Sequence, residues 1–162
     1  MNAIYEFFAQ FPDWLATFLL AMSPIGELRA SIPFAIGFFK MPAILAFAIS
    51  IVGNIIPAII IVKFMKPTIE RLSLRSEIIK KLLHWWFAHV SNKFESKYSK
   101  YGAWGLLIFV AIPLPGTGAW TGAVVAFLFN IPWKKAVCSI FGGVVIAGII
   151  VTLAASGVIA LF

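Results

Sequence analysis

Two runs without a single charged side chain, residues 42–62 and residues 136–162, constrain this chain more than any other feature. They are 21 and 27 residues long. At a rise of about 1.5 Å per residue, each is long enough to cross a hydrocarbon layer of about 30 Å as a helix. Lipid offers the backbone no hydrogen-bonding partner, so a helix, which satisfies its own N–H and C=O groups, is the form such a run must take. Composition agrees: 62% of the 162 residues are apolar and 12% charged, against about half and a quarter in a soluble domain. A water-soluble globule is nearly excluded. The net charge of +7 could suit nucleic acid, but the basic residues are grouped between apolar stretches rather than spread over one face, so no nucleic-acid partner is expected. The fold class expected is an all-α integral membrane protein.

Two further apolar stretches, residues 14–39 and 101–133, are broken near their middles by Ser23-Pro24-Ile25-Gly26-Glu27-Leu28-Arg29 and by Ile112-Pro113-Leu114-Pro115-Gly116-Thr117-Gly118. Proline removes a backbone donor and glycine loosens the chain, so helices end there. The flanking pieces, 14–22, 30–39, 103–111 and 119–129, are each about ten residues, hence about 15 Å or half a bilayer. Each stretch reads as a re-entrant helical hairpin. The competing reading is a kinked helix crossing the whole layer.

Charge placement discriminates between these. Lys63, Lys66, Arg71, Arg75, Lys80, Lys81, Lys93, Lys97 and Lys100 are nine of the 13 basic residues. The positive-inside bias places that segment, residues 63–100, in the cytoplasm. With two hairpins, Lys134 and Lys135 fall on the same side as this linker and both termini on the other; with four spans they fall on the far side, a poorer fit. The expected location is the inner (plasma) membrane, multi-pass. Residues 1–11 carry Glu6 and no Lys or Arg, so they lack the basic start of a cleaved signal.

A repeat supports the hairpin reading. A shift of 90 residues pairs Gly26 with Gly116, Phe39 with Phe129, Pro42 with Pro132, Ala46 with Ala136, Gly53 with Gly143 and Ile56 with Ile146. The chain is thus expected to be an inverted repeat: a first half, 1–62, with its hairpin at 14–39 and span at 42–62, and a second half, 101–162, with its hairpin at 101–133 and span at 136–160. Between them, residues 76–98 carry Ile78, Ile79, Leu82, Leu83, Trp86, Phe87, Val90 and Phe94 at helical spacing, with Lys80, Lys81, His84, His89 and Lys93 elsewhere on the wheel. This is the pattern of an amphipathic interfacial helix. His84 and His89, five apart, do not share a face well enough to hold a metal.

Glu27 and Arg29 are the only charges inside the four apolar stretches. Each costs about 2.5 to 3.5 kcal/mol at mid-bilayer. They are two apart, so on a regular helix they point to different sides; a local pair requires an unwound tip, which Pro24 and Gly26 permit. One reading is a buried latch. The other makes Glu27 a protonatable group and Arg29 a clamp for phosphate or carboxylate. In the second half, Pro113, Pro115, Gly116, Thr117 and Gly118 end one short helix and start another, whose free N–H groups and dipole would favour an anion. The alternative there is close packing through Gly118 and Gly122. Ser50, Asn54 and Pro57 in the first span can line the same cavity. Cys138, the single cysteine, is expected to pack in an apolar run. No constellation of an enzyme is present: no metal cluster, no nucleophile with a base, no carboxylate pair within the membrane regions. No enzymatic activity, cofactor or metal is expected.

Ser23-Pro-Ile-Gly-Glu-Leu-Arg-Ala-Ser-Ile-Pro33 in one half and Ala111-Ile-Pro-Leu-Pro-Gly-Thr-Gly-Ala-Trp-Thr-Gly122 in the other resemble the small multidrug export protein family, which looks like a compact branch of the DedA superfamily. The resemblance covers about residues 20–62 and 100–160. It implies two opposed re-entrant hairpins, each with a following span, and, from better-understood relatives, movement of lipids such as polyprenyl phosphates. The superfamily has arginines in its second hairpin; here residues 113–122 have none. Three functions follow as expectations: a translocator of an amphiphilic anion such as a lipid phosphate, with Arg29, Asn54 and the tip at 113–118 on the substrate and a proton on Glu27; a proton-coupled exporter of amphipathic cations; or a non-transporting membrane organiser. The partners expected are membrane lipids, a small amphiphilic substrate, protons, and a second copy of the chain, since an unpaired hairpin tip needs burial.

Overall fold

The computed structural model describes residues 10–24, 26–73, 81, 101–114 and 116–160, with side chains undescribed for 66–73 and 158–160. Among these there are six helices and no strand: α1 (Asp13–Met22), α2 (Glu27–Gly37), α3 (Ala43–Ser73), α4 (Gly102–Ala111), α5 (Ala119–Leu128) and α6 (Trp133–Ala160). The expected interfacial helix at 76–98, apart from Lys81, and Pro115 lie outside the described residues. Two helices have apolar stretches that satisfy the length for a span, Ala43–Met65 in α3 and Trp133–Gly157 in α6, of 23 and 25 residues. The other four have ten or eleven residues, about 15 Å of rise, too short to cross.

The breaks follow from the residues in them. The chain leaves α1 at Ser23, extended ahead of Pro24 as the proline ring requires. The Ser23 hydroxyl donates to the Leu20 carbonyl at 2.8 Å and accepts from the Gly26 N–H at 3.0 Å, which closes the turn. In the second half the Thr117 hydroxyl reaches back to the carbonyls of Ile112 and Leu114, at 2.7 and 2.8 Å, and fixes the tip between α4 and α5.

The order short helix, short helix, long helix occurs twice, and local geometry repeats with it. The chain leaves α2 through Lys40 and α5 through Asn130, left-handed residues with φ of 52° and 50°; 90 positions apart, each stands two residues before a proline. A second left-handed pair is Glu27, φ 48°, and Gly116, φ 79°. The two stand at different places, Glu27 as the first residue of α2 and Gly116 three residues ahead of α5, so this pair does not follow the 90-residue shift. The long helices rest on the first short helix of their half in the same way. A Cβ on Gly53 would stand 2.7 Å from the Phe18 carbonyl oxygen and 2.9 Å from the Ala21 Cβ; one on Gly143 would stand 2.7 Å from the Val110 Cβ and 2.8 Å from the Leu107 carbonyl oxygen. Such approaches are the small-residue packing by which helices associate in lipid, where burial of apolar surface gives no drive.

Contacts divide the chain into two compact units, Met1–Ile56 with Val144–Phe162, and Pro57–Gly143. In the first, α1 packs on α2, and Gly148 of α6 lies against Phe47 and Ile51 of α3. In the second, α4 packs on α5, with Gly122 against Val110. Buried Leu106, Phe109, Val110, Val124, Val125 and Ile140 fill that core.

Candidate functional site

Within the first unit, α2 and the start of α3 form an antiparallel pair whose register can be read from three levels. Ala35 and Ala46, both fully buried, share one apolar cluster with Met41. One turn away, the Ser31 hydroxyl donates to the Ser50 hydroxyl at 2.7 Å, both side chains being 0% exposed. One further turn back on α2 is Glu27, the first residue of that helix, and one further turn on along α3 is Asn54. Glu27 is 7% exposed and Asn54 0%. Small residues at the first two levels draw the helices together, and the third level is where the polar groups collect.

Asn54 is the unusual member. Neither its Oδ1 nor its Nδ2 has a hydrogen-bonding partner in the protein, a state that costs about 1 to 3 kcal/mol per buried polar group. Pro57, which has no N–H, removes the helical hydrogen bond to the Gly53 carbonyl, so α3 loosens at the turn that carries Asn54. An apolar residue of similar volume pays no such cost. Asn54→Leu is therefore expected to unfold in detergent at the same temperature as the wild type or higher; a lower midpoint would mean that the amide is satisfied within the folded protein.

Glu27 opens α2 with a left-handed backbone, which is the unwinding needed for an acid and a base two residues apart to interact. Arg29, partly buried, is electrostatically coupled to Glu27. Thr17 of α1, also 0% exposed, is turned inward on its own helix, donating to the Asp13 carbonyl at 2.7 Å. Of the residues expected to form a site, the structure thus brings Glu27, Arg29 and Asn54 into one unit. Ser31 joins them without having been expected; the signal was its place one turn from Glu27.

Pro113, Gly116, Thr117 and Gly118 belong to the second unit. Gly116 is exposed, Pro113 and Thr117 partly buried and Gly118 buried. The Thr117 hydroxyl proton is committed to the loop's own carbonyls, and the Gly118 carbonyl accepts the Gly122 N–H at 2.8 Å. Gly122 serves packing, since a Cβ there would stand 2.6 Å from a Val110 methyl.

The second unit also holds two cavities around the start of α6. One, of about 340 Å³, is lined by Val62, Lys63, Ala126, Phe127, Asn130, Ile131 and Trp133. The other, of about 480 Å³, is lined by Ala103, Trp104, Leu107, Lys135, Cys138 and Ser139. The first joins a point near the end of the α3 apolar stretch and the end of α5 to the first residue of α6; the second joins the start of α4 to the first two turns of α6. Cys138, expected to pack, is exposed: it lies on the outer face of α6, whose inner face here is carried by buried Ala136, Ser139 and Ile140.

A family model described as Putative small multi-drug export protein matches residues 27–150, which include α2 through most of α6. No curated protein and no solved structure matches the chain.

Proposed function

The chain belongs to the small multi-drug export protein family, and we propose that it is a membrane transporter in which Glu27 carries the exchangeable proton and Arg29 the substrate's negative group. The observation that carries this reading is the backbone at Glu27. A non-glycine residue held at φ 48° is strained, by about 1 to 3 kcal/mol. Glycine would take that φ without the strain. A buried, charged, strained residue where glycine would fit is retained for its side chain.

The chemistry follows from the low dielectric. Arg29 supports one negative partner there far better than two. An amphiphilic anion, such as a lipid phosphate, that engages Arg29 takes the cation from Glu27, and the carboxylate then takes up a proton. Substrate and proton load together, and the site stays near neutrality. Asn54, with both amide atoms open, supplies a donor and an acceptor at the same level.

The membrane arrangement proposed is the inverted one, with α1–α2 and α4–α5 as re-entrant hairpins. The two cavities support it for the second half. The start of α4 and the end of α5 both flank the first turns of α6, as a helical hairpin returning to its own face would, and Lys63 near the end of the α3 stretch lies there too. That face is assigned to the cytoplasm, with both termini opposite.

The test is flux in proteoliposomes across a pH gradient, with a fluorescent anionic lipid phosphate and a lipophilic cation as substrates. Wild type is expected to move the anion, and Glu27→Gln and Arg29→Ala to fall to the protein-free leak. If Arg29→Ala keeps anion movement while Glu27→Gln abolishes cation efflux, the protein is a cation exporter, as its family description suggests. No flux of either in folded wild type overturns transport. Tagged termini labelled on the side of the lysine-rich segment overturn the hairpins.

A further inference from the structure

We propose that the cavity between the first turns of α4 and of α6 seats the headgroup of an anionic phospholipid, distinct from the transported substrate. Among the described residues its lining has one charged group, Lys135, beside it the Ser139 hydroxyl one turn further along α6, and no acid. Both can hold a phosphate oxygen, the lysine as a cation and the serine as a donor. The rest of the wall, Ala103, Trp104 and Leu107, is apolar, a surface for the glycerol and the upper acyl chain.

The position along the membrane normal fits a headgroup. Trp104 and Trp133 are both exposed at this end, and tryptophan concentrates where hydrocarbon meets headgroups. Lys134 lies over the Trp133 ring at 5.9 Å, and Lys63 lines the neighbouring cavity. Three lysines thus stand around one corner of the second unit, and among the described residues no acid lines either cavity. Basic pockets between membrane helices are where anionic headgroups bind in preference to zwitterionic ones. The occupant comes from the bilayer rather than from solution because Ala103, Leu107 and the ring face of Trp104 form an apolar wall that an acyl chain covers and a soluble ion does not.

Cys138 provides the readout. It is the chain's single cysteine, it is exposed, and it lines this cavity. The full chain is placed in nanodiscs of phosphatidylcholine alone or mixed equally with phosphatidylglycerol, and the rate of Cys138 alkylation by neutral N-ethylmaleimide is measured. Phosphatidylglycerol is expected to slow alkylation by about five-fold, the weight of one lysine at an anionic surface. Lys135→Gln is expected to lose this lipid dependence and Lys135→Arg to keep it. Lys135 is exposed, so neither change disturbs the core. Equal slowing in wild type and Lys135→Gln would mean a general surface-potential effect on the thiol and would overturn the site. An unchanged or faster rate in wild type would also overturn it. Inorganic phosphate, added to phosphatidylcholine discs, is expected to protect nothing; protection by it would replace the lipid with a soluble anion.

Discussion

Glu27→Gly is expected to give a protein that unfolds at a higher temperature than the wild type and transports nothing. Glycine adopts the φ of 48° found at this position without the steric cost that a Cβ incurs there. The gain is about 1 kcal/mol or more from strain alone, and removing a carboxylate that is 7% exposed adds the desolvation that no longer has to be offset. Against this, Arg29 loses the carboxylate to which it is coupled; being only partly buried, it keeps access to water entering the site, as a fully buried guanidinium would not. Glu27→Gln separates the two effects. It keeps the side-chain shape and the strained backbone, so its stability should stay close to wild type while proton-linked flux disappears. The measurements are thermal unfolding in detergent and flux in proteoliposomes. If instead Glu27→Gly unfolds several degrees below wild type, the acid and Arg29 form a latch that holds the turn, and the strain has a structural return. This pattern, stability gained where activity is lost, is what a residue selected for function at a strained site should show.

The helices were largely legible, and the site only partly. Pro24 and Pro113 break the apolar stretches because proline acts locally, on its own backbone and its predecessor's. The ends of α1, α2, α4 and α5 therefore fall within about three residues of the flanking pieces read from sequence. The far end of α3 was not legible: the apolar run stops at Val62, but the helix continues to Ser73, since backbone hydrogen bonds do not require apolar side chains once a helix has left lipid. Glu27 and Arg29 stood out because a charge in a membrane segment is costly wherever it points. Ser31 did not, because serine is unremarkable in such a helix until its partner is known, and Ser50 is 19 residues away. The orphaned amide of Asn54 is invisible for the same reason, as it depends on what lies opposite. The left-handed backbone at Glu27 had only an indirect sequence signal, Pro24 and Gly26 just ahead of it, which permit an unwound tip.

Gly143→Ala and Gly53→Ala are expected to be the most damaging single-methyl changes among the membrane glycines, and Gly157→Ala the least. At Gly143 the new Cβ would meet the Val110 Cβ at 2.7 Å, the Leu107 carbonyl oxygen at 2.8 Å and a Val110 methyl at 2.9 Å; at Gly53 it would meet the Phe18 carbonyl oxygen at 2.7 Å and the Ala21 Cβ at 2.9 Å. Backbone oxygens and Cβ atoms cannot swing aside, so the long helix must move off the short one. Overpacking of this kind costs about 1 to 3 kcal/mol, and here it falls on the contact that seats each long helix on its half. Gly142 is the control beside Gly143: its Cβ would meet only the Leu107 side chain, at 3.1 Å, which can rotate away. Gly157 has nothing within 4 Å, so alanine there should only raise helix propensity, by about 0.8 to 1 kcal/mol at most. Thermal unfolding of the four variants in one detergent should therefore rank Gly157 highest, Gly142 next, and Gly53 and Gly143 together at the bottom. Equal behaviour of Gly142→Ala and Gly143→Ala would show that α6 does not seat on α4 through this face, and with that the likeness of the two halves would fail at the contact that defines it. A matched loss at Gly53 and Gly143 would mean that both halves hold their long helix by the same means, one glycine pressed against the backbone of the first short helix.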